Sequence, residues 1–136
     1  MKYWNEMENN IFFNKIFSTQ LAIDFVSLYS LAIDNDRPSI TLEFDIPELP
    51  DNAPEKWKKA GFNTCRIGIQ CGNIYNLMIK NIPTSKTLEV KILKTGDGFT
   101  ATLSNEKSLI TFDSKYISLC GPSVYMNGLD EWQQSS

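Results

Sequence analysis

Ile40, Leu42, Phe44 and Ile46 alternate strictly with Thr41, Glu43 and Asp45, and the run stops at Pro47. A period of two puts successive side chains on opposite faces, so this stretch predicts a strand with one buried and one wet face. Proline cannot donate to a sheet ladder, and Pro47, Pro50 and Pro54 end the strand and open a connection that runs to Gly61. One helical turn is expected there, across Pro54 to Lys59. The alternation resumes at Cys65, Ile67, Ile69 and Cys71.

The same period recurs along the chain. Phe25, Tyr29, Leu31 and Ile33 fall on one face of an earlier strand that ends at the turn formers Asp34-Asn35-Asp36-Arg37-Pro38, which predicts a hairpin with the strand at Ile40. Gly72-Asn73 predicts a hairpin from the Cys65–Cys71 strand into Tyr75, Leu77 and Ile79. Pro83 to Lys86 then separates Leu88, Val90 and Ile92 from that strand, and Gly96-Asp97-Gly98 leads into Phe99, Ala101 and Leu103. Two further turns, at Asn105-Glu106-Lys107 and Asp113-Ser114, bound strands at Leu109–Phe112 and Tyr116–Cys120.

About eight short strands joined by tight turns imply a mainly β fold, α+β at its margin. The strands are expected to run antiparallel in a sandwich, half-barrel or curved sheet. Trp4, Met7, Ile11, Phe12, Ile16 and Phe17 recur at spacings of three to five, which predicts a short amphipathic helix from about Asn5 to Phe17 packed on that sheet. A chain of 136 residues suits a single domain, with 122–136 as a tail that frays.

What the chain lacks narrows its chemistry. It contains no histidine, so Ser-His-Asp and Cys-His catalytic arrangements and His-containing zinc sites are excluded. Cys65, Cys71 and Cys120 have no metal-ligand spacing and read as free thiols of a reducing compartment. No EF-hand loop, glycine-rich phosphate loop or membrane-length apolar run occurs, and the amino terminus has no leader pattern. The expectation is a cytoplasmic, non-enzymatic binding protein without cofactor or metal.

Charge is unevenly placed. From Asp24 to Glu55 there are eight acids against Arg37 alone, a net charge of −7, while the remaining residues carry 12 bases and 8 acids, or +4. Glu43 and Asp45 share the wet face of their strand, with Asp34 and Asp36 at the end of the hairpin and Glu48 and Asp51 in the connection after it. Such a surface suits a basic partner and disfavours nucleic acid as a ligand. It is equally what a solvated face looks like. Trp57, in the proline-bounded connection, either pins that connection to the core or anchors a partner. Trp57, Tyr75, Tyr125 and Trp132 would also suffice for a sugar-stacking platform, so a carbohydrate-binding or other ligand-binding β domain is the alternative.

The strand ending FDIPELP, the segment PEKWKKAGFN with Pro54, Trp57, Gly61 and Asn63, the alternating CRIGIQCGNIYNL and the closing LITFDSKYISL form a pattern that runs from about Trp4 to Tyr125. In this pattern the chain resembles the immunity protein 50 family of bacterial polymorphic toxin and contact-dependent inhibition systems. The resemblance implies an antitoxin that binds the C-terminal domain of its cognate toxin, with a nuclease as one candidate target, and needs no catalytic residue. On that footing Asp34, Asp36, Glu43, Asp45, Glu48 and Asp51 are the candidate toxin-facing acids and Trp57 the candidate apolar anchor.

Overall fold

A computed structural model describes residues 1–84 and 87–127. Eight antiparallel strands form one sheet: β1 (Phe25–Asp34), β2 (Ser39–Ile46), β3 (Thr64–Gly72), β4 (Tyr75–Lys80), β5 (Thr87–Thr95), β6 (Gly98–Ser104), β7 (Leu109–Ser114) and β8 (Tyr116–Tyr125). Their spatial order is β4-β7-β6-β5-β1-β2-β3-β8. Two short helices, α1 (Ile11–Ile16) and α2 (Glu55–Ala60), accompany the sheet.

The expected hairpin between β3 and β4 is not formed, although the two strands are separated only by Asn73 and Ile74. β3 pairs with β2 and β8, and β4 pairs with β7 at the far end of the sheet. The registers explain how. Thr64 lies opposite Tyr125 and Gly72 opposite Tyr116, and the ladder then continues with Tyr75 opposite Asp113 and Lys80 opposite Leu109. β3–β4 and β7–β8 are therefore two halves of one long two-stranded ribbon, bent where Gly72–Ile74 passes Ser114–Lys115. Gly72-Asn73 supplies the bend, with Asn73 at φ 51°, and the chain does not reverse. At the bend the Lys115 amide donates to the Gly72 carbonyl at 3.0 Å, and the buried Ser114 hydroxyl lies 2.9 Å from that oxygen and 2.7 Å from the Tyr116 carbonyl. The ribbon joins the two ends of the sheet at this corner. Elsewhere the sheet stays open, so the architecture is a strongly curved sheet and not a closed barrel.

β1 pairs with β2 along its length but with β5 only through Phe25–Ser27. The sheet thus hinges at β1 into two halves whose inner faces share one core. β2 follows the strict alternation of its sequence, with Ile40, Leu42, Phe44 and Ile46 all buried. Cys65, Ile67, Ile69 and Cys71 of β3 are buried beside them, as are Leu88, Val90 and Ile92 of β5 and Ala101 and Leu103 of β6. β1 departs from the expected pattern. Its register shifts between Leu28 and Ser30, so Leu31 lies opposite Leu42 while Phe25 and Tyr29 are exposed, as is Ile33 near the strand's end. A bulge adds one residue to one strand and breaks the parity on which a sequence reading depends.

The amino-terminal apolar residues do not form one helix. A 3-10 turn over Trp4–Glu6 and the six-residue α1 are separated by Asn9, which has a left-handed φ of 63°. The break changes which aromatics are covered. Trp4, Met7, Phe13, Ile16 and Phe17 enter the core, Trp4 with its ring centroid 5.2 Å from that of Phe44, whereas Ile11 and Phe12 stay exposed. The same segment covers the outer edge of β8, where the Leu119 amide donates to the Glu8 carbonyl at 2.9 Å. Pro122 to Tyr125, expected in a fraying tail, belong to β8. Trp132 and the rest of 128–136, together with Ser85 and Lys86 of the connection before β5, lie outside the described residues.

Candidate functional site

The outer face of β1-β2-β3-β8 carries the most organised polar cluster among the described residues. Asp45 lies opposite Ser27 on one side and Arg66 on the other. The Arg66 guanidinium forks onto its carboxylate, Nε to Oδ1 at 2.8 Å and Nη2 to Oδ2 at 3.3 Å. Arg66 Nη2 also donates to the Tyr125 hydroxyl at 2.8 Å, and that hydroxyl donates to Asp45 Oδ2 at 2.7 Å. The guanidinium carbon sits 3.8 Å from the ring centroid of Tyr29 and 4.7 Å from that of Tyr125. A planar cation between two aromatic faces with a bidentate carboxylate at its edge uses all of arginine's binding modes.

Burial is modest here. It opposes the charged form of Arg66, but the hydrogen bond and field of Asp45 outweigh it and the guanidinium pKa is raised. Desolvation and the hydrogen bond to Asp45 together push the Tyr125 phenol up from its usual value. The cluster ties the last residues of β8 to β2 across β3.

Glu43, two residues from Asp45 on the same face, lies opposite Ser30 and Gly68. It has no ion-pair or hydrogen-bond partner among the described residues. Gly68 is required beside it, because a Cβ there would sit 2.9 Å from the Leu42 carbonyl and 3.3 Å from Cys120 Cβ. The missing side chain leaves a notch of about 180 Å³ between Glu43, Gly68, Cys120 and Ser123.

The other candidate residues do not converge on this cluster. Asp34 closes the β1–β2 hairpin by accepting from the Asp36 amide at 3.0 Å, with Asp36 exposed in the turn. Glu48 is half-buried in the connection after β2. Asp51 is engaged locally, accepting from both the hydroxyl and the amide of Ser18, and these two bonds hold its carboxyl below the usual range. Trp57 sits on α2, half-buried against the core, with Phe12 edge-on at 5.5 Å. Its neighbours in α2 are Lys56, Lys58 and Lys59 together with Glu55, whose carboxylate lies 3.6 Å from the Lys58 ammonium.

Of the residues proposed for sugar stacking, Trp132 lies outside the described residues and the other three have different neighbours. Tyr125 is held by Arg66, Trp57 contacts Phe12, and Tyr75 lies on β4 opposite Asp113. Among the described residues no group of three or more cysteines, aspartates or glutamates could hold a metal ion. Cys65 and Cys71 are buried free thiols, each pushed up to about 12 chiefly by desolvation. Among the described residues no helix is long and apolar enough to cross a membrane.

The sequence reading missed Arg66 and Tyr125 as partners of Asp45. They lie 21 and 80 residues away, and only the strand registers bring them together. Arg66 did carry a signal, as the one charged residue of its strand.

No curated protein and no solved structure matches this chain. The model of one family, immunity protein 50, does match it, over residues 9–125. That span takes in both helices, all eight strands and the Asp45–Arg66–Tyr125 cluster, and the chain belongs to the immunity protein 50 family.

Proposed function

We propose that this protein neutralises the C-terminal domain of a cognate bacterial toxin by stoichiometric binding in the cytoplasm of the producing cell, with no chemistry of its own. The family relationship supports the antitoxin role. The observation that carries the choice of surface is the contrast between Asp45 and Glu43: Arg66 neutralises the first, and the second stands unpaired beside a notch on an open sheet face. With Asp34 and Asp36 at the hairpin end, Glu43 forms the acidic side of the contact. It faces a basic toxin surface such as that of a nuclease, to which a negative face presents the charge of the substrate. Tyr29, Arg66 and Tyr125 are residue types in which interface energy concentrates, and they stand already ordered. Trp57, on its lysine-bearing helix, forms a second and separate contact.

The test is co-expression with the C-terminal domain of a large secreted protein encoded by the adjacent gene. Rescue of growth together with a co-purifying complex is the expected result. Growth arrest despite good expression of both chains, with no complex, overturns the pairing.

A further inference from the structure

The charged residues of β1, β2, β3 and β8 are Asp34, Glu43, Asp45 and Arg66. Asp45 and Arg66 neutralise each other, and Asp34 lies at the hairpin end. Glu43 is left in the middle of the face with no counter-ion among the described residues. The registers show what surrounds it. Ser30, Glu43, Gly68 and Cys120 form one row across the four strands, and Thr41, Gln70 and Ser118 stand in the next. From Cys120 to Ser123 β8 takes three steps where β3 takes two, from Gly68 to Arg66, and such a bulge bends its strand, here at Gly121 with φ 84°. The bulge and the absent Gly68 side chain together make the notch of about 180 Å³, which has Glu43 and Cys120 on either side of Gly68 and Arg66 and Ser123 at one end. Burial, and after it the charge of Glu43, raises the Cys120 pKa, so carboxylate and thiol share this space.

We propose that the notch is a socket for one lysine side chain of the toxin domain, its ammonium on Glu43 and its alkyl stem over Gly68 and Cys120. This rests on the antitoxin role above, which supplies the partner.

Size, charge and shape choose the occupant. A cavity of about 150 Å³ holds one benzene-sized group, so the notch admits the end of one side chain and no backbone segment. Glu43 calls for a cation. Lysine brings a compact charge with three donors on a slender apolar stem, which suits a small floor with one carboxylate. Arginine fits less well, because its five donors need acceptors beyond Glu43. Nor is there a free platform for its flat face, since the Arg66 guanidinium is already stacked on Tyr29 and Tyr125. Asp45 does not compete for the lysine, because both its oxygens are taken by Arg66 and Tyr125.

Two experiments test this, the first without toxin. Cys120 is half-buried in the notch while Cys65 and Cys71 are buried, so thiol reagents reach Cys120 first. A methanethiosulfonate carrying an ethylammonium group imitates the end of a lysine, and one carrying an ethylsulfonate reverses its charge. Each transfers its alkylthio group to the Cys120 thiolate and releases methanesulfinate. Glu43→Gln keeps the side-chain shape and has no partner to lose, so the melting curve is retained. The ratio of cationic to anionic rates on the folded chain, each corrected by the rate with a free thiol, should exceed about ten and fall severalfold in Glu43→Gln. A ratio that Glu43→Gln does not move overturns the socket.

The second experiment uses the toxin domain of the co-purified complex. Glu43→Gln should speed its dissociation by about tenfold or more, as the loss of a desolvated charge partner does. With the toxin's lysines replaced by methionine one at a time, one replacement should match the loss from Glu43→Gln and add nothing to it in the double variant. Coupling of Glu43 to an arginine, or to no lysine, overturns the proposal. A stable complex indifferent to Glu43→Gln overturns it as well and leaves the antitoxin role standing. Absence of any complex overturns both.

Discussion

Arg66 and Asp45 face each other across the β2–β3 ladder and are joined by two hydrogen bonds, with less than a quarter of either side chain exposed. Partial solvent screening keeps the pair itself to about 1 kcal/mol. Arg66→Ala also removes the stacking on Tyr29 and Tyr125 and should cost about 2 kcal/mol in urea denaturation. Arg66→Lys should recover less than half of that, because an ammonium keeps the charge and loses both the fork and the flat face. A double-mutant cycle with Asp45→Asn checks the assignment: additive losses would mean that the two side chains are neighbours without coupling.

Gly68 is predicted to tolerate no side chain. Its Cβ would meet the Leu42 carbonyl, a backbone atom fixed in the β2–β3 ladder, and cannot be accommodated by rotating a neighbour. Gly68→Ala should destabilise the fold by about 1–3 kcal/mol and raise amide exchange in β2 and β3 more than in β6 and β7. Uniform exchange across the sheet would contradict this.

How much of this was legible in the sequence depends on whether a signal was local. The alternation in β2 and β3 is local, and both strands fold with the predicted faces. The hairpin signal at Gly72-Asn73 is local too, and it misleads. The same two residues that close a tight turn also allow a bend, and pairing with β7 and β8, some forty residues on, decides between them. Tyr29 fails for a related reason, since a bulge erases strand parity without leaving a mark in composition. The acids were visible, but which were free was not: Asp45 and Asp51 find partners through tertiary contacts, and Glu43 does not.

The buried thiols predict an alkaline limit to stability. Cys65 and Cys71 are raised from 9.0 to about 12, so the fold keeps them protonated where the unfolded chain ionises them. Their contribution is fully present below pH 9 and is lost as the pH rises from there toward 12. A shift of three units corresponds to about 4 kcal/mol per thiol at full ionisation, as an order of magnitude. Tyr125, also raised, adds to the loss above pH 10. Denaturation midpoints measured from pH 7 to 11 should be level and then fall, and Cys71→Ala should make the fall shallower. An equal slope in the variant would show that other groups set the limit.

The acidic residues and Trp57 make separable predictions about toxin binding, because charge and apolar packing act over different distances. Charge acts over distance and governs encounter, so Glu43→Lys with Asp34→Lys should slow association by about tenfold at low salt and flatten its dependence on ionic strength. Asp45 is the wrong residue for this test, since replacing it strands Arg66 and loosens β8. An apolar anchor acts at short range, so Trp57→Ala should leave association nearly unchanged and speed dissociation by about tenfold or more. If dissociation is unaffected, Trp57 serves only to hold α2 against Phe12, and the contact lies wholly on the sheet. If association is unaffected by the two lysines, the acids are solvated surface and the toxin approaches from the side of α2, where Lys56, Lys58 and Lys59 would meet an acidic partner.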